Sequence, residues 1–424
     1  MLRRTSAVAL CALALLACGK KEGDSAPSGG VGAAQPGGGY AAKAGGYGYA
    51  AALGADLDKK VGDAMVRGRK NLLAQRDEAS GAWGTGTPTE AGFTALSTLA
   101  LVGTTARESV AADPTILKSL DHLLASQKPD GSIFSNPQYV NYETSVAISA
   151  LAGARIGKFA SAQAKARDFL VRSQIADEQD VGFGGFPYRS QKDPSRPPDL
   201  SNMQFAATAA SDAGVKDPAF WKRVEAFLAK VQNRSETNTF TSKRKVEDKD
   251  VEIVPGNDGG AAYAPGYSMA ELAERPDGKY EPRSYGSMTY ALLKCLIFAG
   301  VKADDPRVVA AVAWLTKNFT IDRNPGFESL KDPEKAGQQG YYYYLLTMSR
   351  ALAEYEKATG KPLPVTDAAG RPRKWRQEIA ARLVELQKAD GSWANPNDRW
   401  EEGLPLICTA YALQTLATCQ GRLP

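Results

Sequence analysis

One histidine occurs in the whole chain, His122. That scarcity excludes metal centres built on several imidazoles. No Gly-rich phosphate loop and no G-x-S-x-G elbow is present, so the sequence supports neither phosphate-loop nor α/β-hydrolase chemistry. Charge of one sign is not in large excess either: 52 Lys and Arg face 47 Asp and Glu, a net charge of +5. Without a basic stripe interleaved with aromatics, nucleic acid is not an expected partner. Long apolar runs are missing as well. The run from Ala7 to Ala17 is shorter than the roughly 20 residues a membrane-spanning helix needs. Cysteine is sparse, with five in the chain. Cys408 and Cys419 fall on one expected helix, about 16 Å apart by helical rise, so they cannot bridge each other. A pairing of Cys295 stays open in an oxidising compartment, and buried free thiols are the simpler reading.

What is present begins with an export signal. Arg3 and Arg4 precede the apolar run, which ends in Leu15-Leu16-Ala17-Cys18. This ending resembles a bacterial lipobox. The resemblance implies a signal peptide over 1–17, cleavage before Cys18 and acylation of that cysteine. Residues 18–55 are rich in Gly, Ala, Ser and Pro. Such a stretch buries too little apolar surface to offset its ordering entropy and reads as a flexible tether with a reach of about 30–37 Å. The chain is therefore expected in the cell envelope, lipid-anchored and facing the periplasm, with inner and outer membrane both open.

Residues 56–424 carry a repeat of about fifty residues. Each unit has an amphipathic helix ending near a glutamine, then a Gly-rich turn with an aromatic, then a helix of small and apolar residues. Gln75, Gln127, Gln174, Gln232 and Gln387 mark the units, and Asn318 stands near the position left empty in the double gap. The second unit turns through QKPDGSIF and the sixth through QKADGSW. Helices such as WRQEIAARLVELQ have one charged face and suit an outer layer. Helices such as YALLKCLIFAG are apolar nearly all round and suit burial on both sides. Six inner helices inside six outer ones make an all-α, closed (α/α)6 toroid, with 233–285 as an insertion that is either a lid or a solvated loop.

The Q-x-x-D-G-S-W turn resembles the QW motif of squalene and terpene cyclases, and the Gly-rich turns resemble those of protein prenyltransferase β subunits. The resemblance covers most of 60–420 and implies the terpenoid cyclase/prenyltransferase toroid fold, squalene-hopene cyclase-like in its repeats. Gln387 is expected to bond backbone groups at the end of its helix while Trp393 stacks over that end. The family's catalytic motifs are not carried over. The chain lacks the Asp-x-Asp-Asp of alkene-protonating cyclases, and NYET at 141–144 offers one carboxylate in that context, Glu143. It lacks the Asp-Asp-x-x-Asp of ionising synthases. His122 falls on an outer helix, so the family's Asp/Cys/His zinc site is not expected, nor is any other metal or cofactor.

Hairpin alternation brings every outer-to-inner loop to one end of the barrel. The inner-helix N-termini would then converge on one mouth, whose free N–H groups favour an anion. Glu90, Glu143, Asp199, Asn202, Ser287, Gln339, Tyr341, Trp400, Glu401 and Glu402 enter that mouth. Glu143 and Asp199 are the candidate acids, because burial raises a carboxyl pKa; ordinary helix capping is the competing role for both. Asn202, Ser287, Gln339, Tyr341, Trp400, Glu401 and Glu402 are candidate ligand contacts. One or two of Tyr341 to Tyr344 would face inward.

Three function classes follow. The first is a tethered toroid that binds a hydrophobic, isoprenoid- or lipid-like ligand in its cavity, with or without catalysis. The second is a non-catalytic envelope scaffold with a protein partner. The third is a carbohydrate-active α/α barrel using paired carboxylates near Trp400. The anchor gives a direct test: Cys18→Ser is expected to abolish acyl labelling and move the protein from the membrane to the soluble fraction.

Overall fold

The computed structural model describes residues 53–189, 197–246 and 249–422. Cys18 and most of the tether lie outside them. Among the described residues twelve long helices form six hairpins. These are α1 (Ala55–Ala74) with α2 (Glu90–Thr104), α3 (Pro114–Ala125) with α4 (Val140–Ala154), and α5 (Ala160–Ser173) with α6 (Leu200–Asp212). Then come α7 (Pro218–Val231) with α8 (Gly286–Phe298), α9 (Pro306–Lys317) with α11 (Tyr341–Thr359) across the short α10 (Pro333–Gly337), and α12 (Trp375–Leu386) with α13 (Pro405–Cys419). The inner helices touch in the cycle α2, α4, α6, α8, α11, α13 and back to α2. The fold is thus a closed α/α toroid.

Residue chemistry explains the two layers. In α8 every residue from Gly286 to Leu296 is buried, and so is every residue of α13 from Ile407 onward. Outer helices bury one stripe, such as Val61, Met65, Gly68 and Leu72 of α1. Three outer helices open with Asp-Pro: Asp113, Asp217 and Asp305 cap α3, α7 and α9, and the proline fills the first turn, where its missing N–H costs nothing.

The repeated turn is a clasp between neighbouring units. Gln387 Nε2 donates to Gly391 O in its own turn (2.9 Å) and to Ala64 O of α1 (2.8 Å). Gln127 does the same with Gly131 and Ala162 of α5, Gln174 with Gly184 and Phe220 of α7, and Gln232 with Gly259 and Arg307 of α9. The glutamine therefore reaches the next outer helix, a longer span than the end of its own helix. Trp393 Nε1 does cover its helix end, donating to Leu383 O (2.8 Å). A threonine completes the joint. Trp83, Ile133, Ala261 and Trp393 donate their backbone N–H to Thr94, Thr144, Thr289 and Thr409 on the inner helices, at 3.0–3.2 Å.

Two units depart from the pattern. In the first, Arg76 holds the clasp position: it pairs with Trp83 as Gln127 pairs with Ile133, and its Nε donates to Gly81 O. Gln75 instead bonds Asn71. In the fifth, Asn318 folds back onto Trp314 O and makes no clasp. The insertion also differs from the expected loop. It holds a four-stranded sheet ordered β1-β2-β4-β3, with β1 Ser242–Val246, β2 Lys249–Ile253, β3 Leu272–Glu274 and β4 Tyr280–Pro282. The charged run forms the antiparallel β1–β2 pair, and Lys243 and Lys245 stand opposite Glu252 and Asp250. Opposite charges across an antiparallel pair favour the strand over a solvated loop.

The turn glycine is fixed by the same joint. Gly184 has φ +85°, and a Cβ there would lie 1.8 Å from Arg223 O on α7. Gly86 has a similar φ of +78° but open space around it. Gly184→Ala is expected to destabilise by more than about 2 kcal/mol and Gly86→Ala by about 1 kcal/mol in urea titrations. Equal losses would mean that the close backbone approach contributes nothing.

Candidate functional site

The mouth is built by loops that seal their neighbours. Glu143, fully buried, accepts from Gly92 N on α2 (3.1 Å), Ser135 N (2.8 Å), Ser135 Oγ (2.9 Å) and Asn136 N (3.2 Å). Burial raises its carboxyl, and those donors pull the other way. Glu402, also fully buried, accepts from Tyr342 N (3.2 Å) and Tyr343 N (2.7 Å) on α11 and from Asn395 Nδ2 (2.7 Å). Burial lifts it to about 7. Backbone donors elsewhere meet the same fate. Asn141 N reaches Tyr188 O, Leu200 N reaches Tyr263 O, Gly286 N reaches Pro325 O, and Ser287 N reaches Asn324 Oδ1. First-turn N–H groups of α2, α4, α6, α8 and α11 are thus taken by the loop of the following unit. At these five helix ends the expectation of free N–H groups awaiting an anion does not hold for the donors named, because the chain itself supplies their acceptors.

The remaining expected residues divide between rim and interior packing. Asp199 caps α6, accepting from Asn202 N (2.7 Å), and its charge acts on the hydroxyls of Tyr188, Tyr263, Tyr285 and Tyr343. Asn202 donates to Phe186 O (2.7 Å). Ser287 shares Asn324, and Gln339 is buried beside them, its carbonyl accepting from the same Asn324. Glu90 holds Gly86 N and pairs with His122 (2.9 Å), which leaves His122 between layers. Tyr341 points outward: its hydroxyl donates to Ile321 O (2.6 Å) and faces Arg382 of α12. The inward member of the tyrosine run is Tyr343, two residues later and so on the other side of the helix.

Trp400 and Glu401 both lie in the left-handed region, with φ +59° and +66°. Two adjacent non-glycine residues hold that backbone only under tertiary constraint. Here Trp400 covers Gly340, where a Cβ would meet the indole at 2.5 Å, and Glu402 is fastened to α11. Glu401 stays half-buried, its carboxyl raised by burial.

Four rings meet across the inner side of the barrel; of these the sequence pointed only to Tyr343, as one member of the run Tyr341 to Tyr344. Tyr142 of α4 lies 5.1 Å from Phe205 of α6, Phe205 lies 6.0 Å from Tyr343 of α11, and Tyr343 lies 6.3 Å from Tyr411 of α13. The Tyr142 and Tyr411 hydroxyls share a hydrogen bond, which closes the circuit. Phe205 to Tyr343 and Tyr411 to Tyr142 are contacts across the ring, since α8 and α2 lie between those helices in the cycle. Tyr142, Phe205 and Tyr343 nevertheless keep solvent contact, unlike most of their helix neighbours. Partial exposure of three rings that face the axis fits a shallow cup floored by the circuit, with Tyr411 buried beneath it. Tyr188 and Tyr263, joined by their hydroxyls, are partly accessible beside Asp199. Among the described residues no His/Cys/Asp/Glu group could hold a metal, and no helix is long and apolar enough to cross a membrane.

No family model matches the chain, and no curated protein matches it in sequence. Solved structures do resemble its fold. A variant of the type II terpene cyclase MstE from Scytonema, in complex with geranylgeranyl dihydroxybenzoate, superposes with a TM-score of 0.51 at 15% identity, over 86% of this chain and 99% of that one. An inactive variant of the alpha-1,6-mannanase GH76A of Salegentibacter sp. HEL1_6, in complex with alpha-1,6-mannotriose, superposes with a TM-score of 0.54 at 11% identity, over 85% and 99%. At these identities the likeness shows the fold alone.

Glu402 gives a pH test. Its folded pKa of about 7 exceeds the unfolded value of 4.5. Between these values the folded state binds more protons, so stability is greatest below about 4.5 and declines as pH rises through 7. The effect is on the order of 3 kcal/mol. Unfolding curves from pH 5 to 8 should show this loss in wild type and not in Glu402→Gln. Parallel curves would place the burdened carboxyl elsewhere.

Proposed function

We propose that this chain is an exported, lipid-anchored toroid that holds an apolar, isoprenoid- or lipid-like molecule against the aromatic floor of its mouth. The observation that carries the reading is the circuit of Tyr142, Phe205, Tyr343 and Tyr411, three of whose four rings keep partial solvent exposure on the inner side of the barrel. Mostly apolar pockets with a few fixed polar groups suit such ligands. Trp400 and Glu401 would form the accessible rim, with Asp199, Asn202, Ser287 and Gln339 buried behind it. Tyr341 belongs to the outer seam, and Glu143 and Glu402 hold the rim in shape. No catalytic step is assigned. The alkene-protonating motif is missing, and Glu143, the carboxylate in the corresponding place, is wrapped by donors.

A carbohydrate reading draws on the tyrosine hydroxyls around Asp199. It needs two carboxylates flanking one bond, and Glu402 is already committed to α11. The scaffold reading would rest on the β1–β2 pair as its contact surface. Native mass spectrometry of the full chain, purified from its own membranes, separates the three. A retained lipid-sized adduct in wild type, reduced at least tenfold in Phe205→Ala and Tyr343→Ala, is the expected result. An adduct-free protein that instead takes up mannooligosaccharide would reject the apolar-ligand reading. So would one that binds neither and captures a partner lost on deleting β1–β2.

A further inference from the structure

Lys294 interrupts the otherwise apolar run YALLKCLIF of α8 and is only 3% exposed. Burying an ammonium without an anion is costly. Its Nζ donates to Gln204 Oε1 on α6. Gln204 Nε2 donates to the Tyr343 hydroxyl (3.2 Å), and that hydroxyl meets Ser201 Oγ (3.1 Å). A polar chain thus runs from the partly exposed Tyr343 and Ser201 to the buried amine. Among the described residues no carboxylate pairs with Nζ. Asp212 and Glu354, whose charges act on it, are both held by Arg350 at 3.0 Å. Burial lowers the amine to about 8.

Partial exposure continues along the same helix stripes below the rings. Thr208 follows Phe205 on the axis-facing stripe of α6, Leu346 follows Tyr343 on α11, and both keep solvent contact. Thr208 and Lys294 are each the ninth residue of their helix, so the open stripe reaches the depth of Lys294. Helical side chains lean toward the N-terminus, which directs the amine up toward the rings.

We infer that Lys294 anchors the carboxylate of a long-chain monocarboxylic acid whose apolar chain lies along the barrel axis. The inference rests on the apolar-ligand reading and names the head group. The ligand carboxylate supplies the anion that the interior lacks. It takes the place of Gln204 Oε1 at Nζ and accepts a second bond from the Tyr343 hydroxyl. One ammonium and one hydroxyl match a single negative charge. A phosphate, with up to two charges and three acceptor oxygens, would call for an arginine fork or several further donors.

The test compares hexadecanoic acid with its methyl ester by isothermal titration, on the full chain in detergent, with wild type and Lys294→Met. Wild type is expected to bind the acid at least tenfold more tightly than the ester. Lys294→Met should lose that preference and bind the ester within about twofold of wild type. Equal affinities in wild type, or a preference retained in Lys294→Met, would overturn the anchor and leave the apolar-ligand reading standing. If wild type binds neither, the apolar-ligand reading fails and the anchor with it. Lys294→Gln replaces the methionine variant if the latter does not give a cooperative melt.

Discussion

A single side-chain amide, used again and again, carries the architecture. Gln127, Gln174, Gln232 and Gln387 each donate one N–H to the glycine carbonyl of their own turn and the other to a carbonyl of the next outer helix. The two bonds fix the angle between successive hairpins, and repeating a fixed angle closes a ring. Closure itself runs through this contact, because Gln387 near the C-terminus bonds Ala64 near the start of the domain. Each bond contributes only about 1 kcal/mol net. Leaving a buried carbonyl unpaired costs more, about 1–3 kcal/mol, so the amide acts chiefly by making wrong register expensive.

Closure creates a second constraint at the mouth. Inner-helix N-termini crowd together there with unsatisfied donors, and an aqueous solution is not available between packed loops. The chain answers with its own acceptors, always from the following unit: Glu143 on α2, Tyr188 O on α4, Asn324 on α8 and Glu402 on α11. A carboxylate in this position is both buried and bonded, so its raised pKa reflects a structural duty. That weakens pKa perturbation as a guide to catalysis in this fold. The same duty explains the backbone at Trp400 and Glu401, which is bent to deliver the next residue.

Much of the barrel was legible because its determinants are local and periodic. The glutamine, the aspartate-glycine turn and the two helix types recur in order, and the ring follows. Arg76 and the sheet were missed for opposite reasons. Arg76 sits one residue beyond a glutamine that merely looks right, and the hairpin of β1 and β2 is specified by cross-strand charge pairing that has no repeat to reveal it. The clasp threonines were visible in FTAL, ETSV, MTYA and CTAY, but a threonine in a buried helix reads as small packing until its partner is known.

The floor of the cup was hidden by a subtler ambiguity. Phe205 and Tyr411 are lone aromatics in their helices, and Tyr290 of α8 sits in a comparable buried stretch, yet that ring packs against Tyr344 instead of joining the circuit. Tyr344 bonds Thr320 O on the outer side, whereas Tyr343, one residue earlier and about 100° around the helix, faces the axis. Which face looks inward depends on how each inner helix is rotated in the ring, and that rotation is set by the outer clasp some distance away. The site's aromatic content is therefore written in the inner helices, while its geometry is written in the turns. Lys294 obeys the same division. Its place in an apolar run marks it as unusual from sequence, but only the rotation of α8 and α6 shows that the amine meets a neutral amide beneath the rings, with no carboxylate among the described residues paired to it.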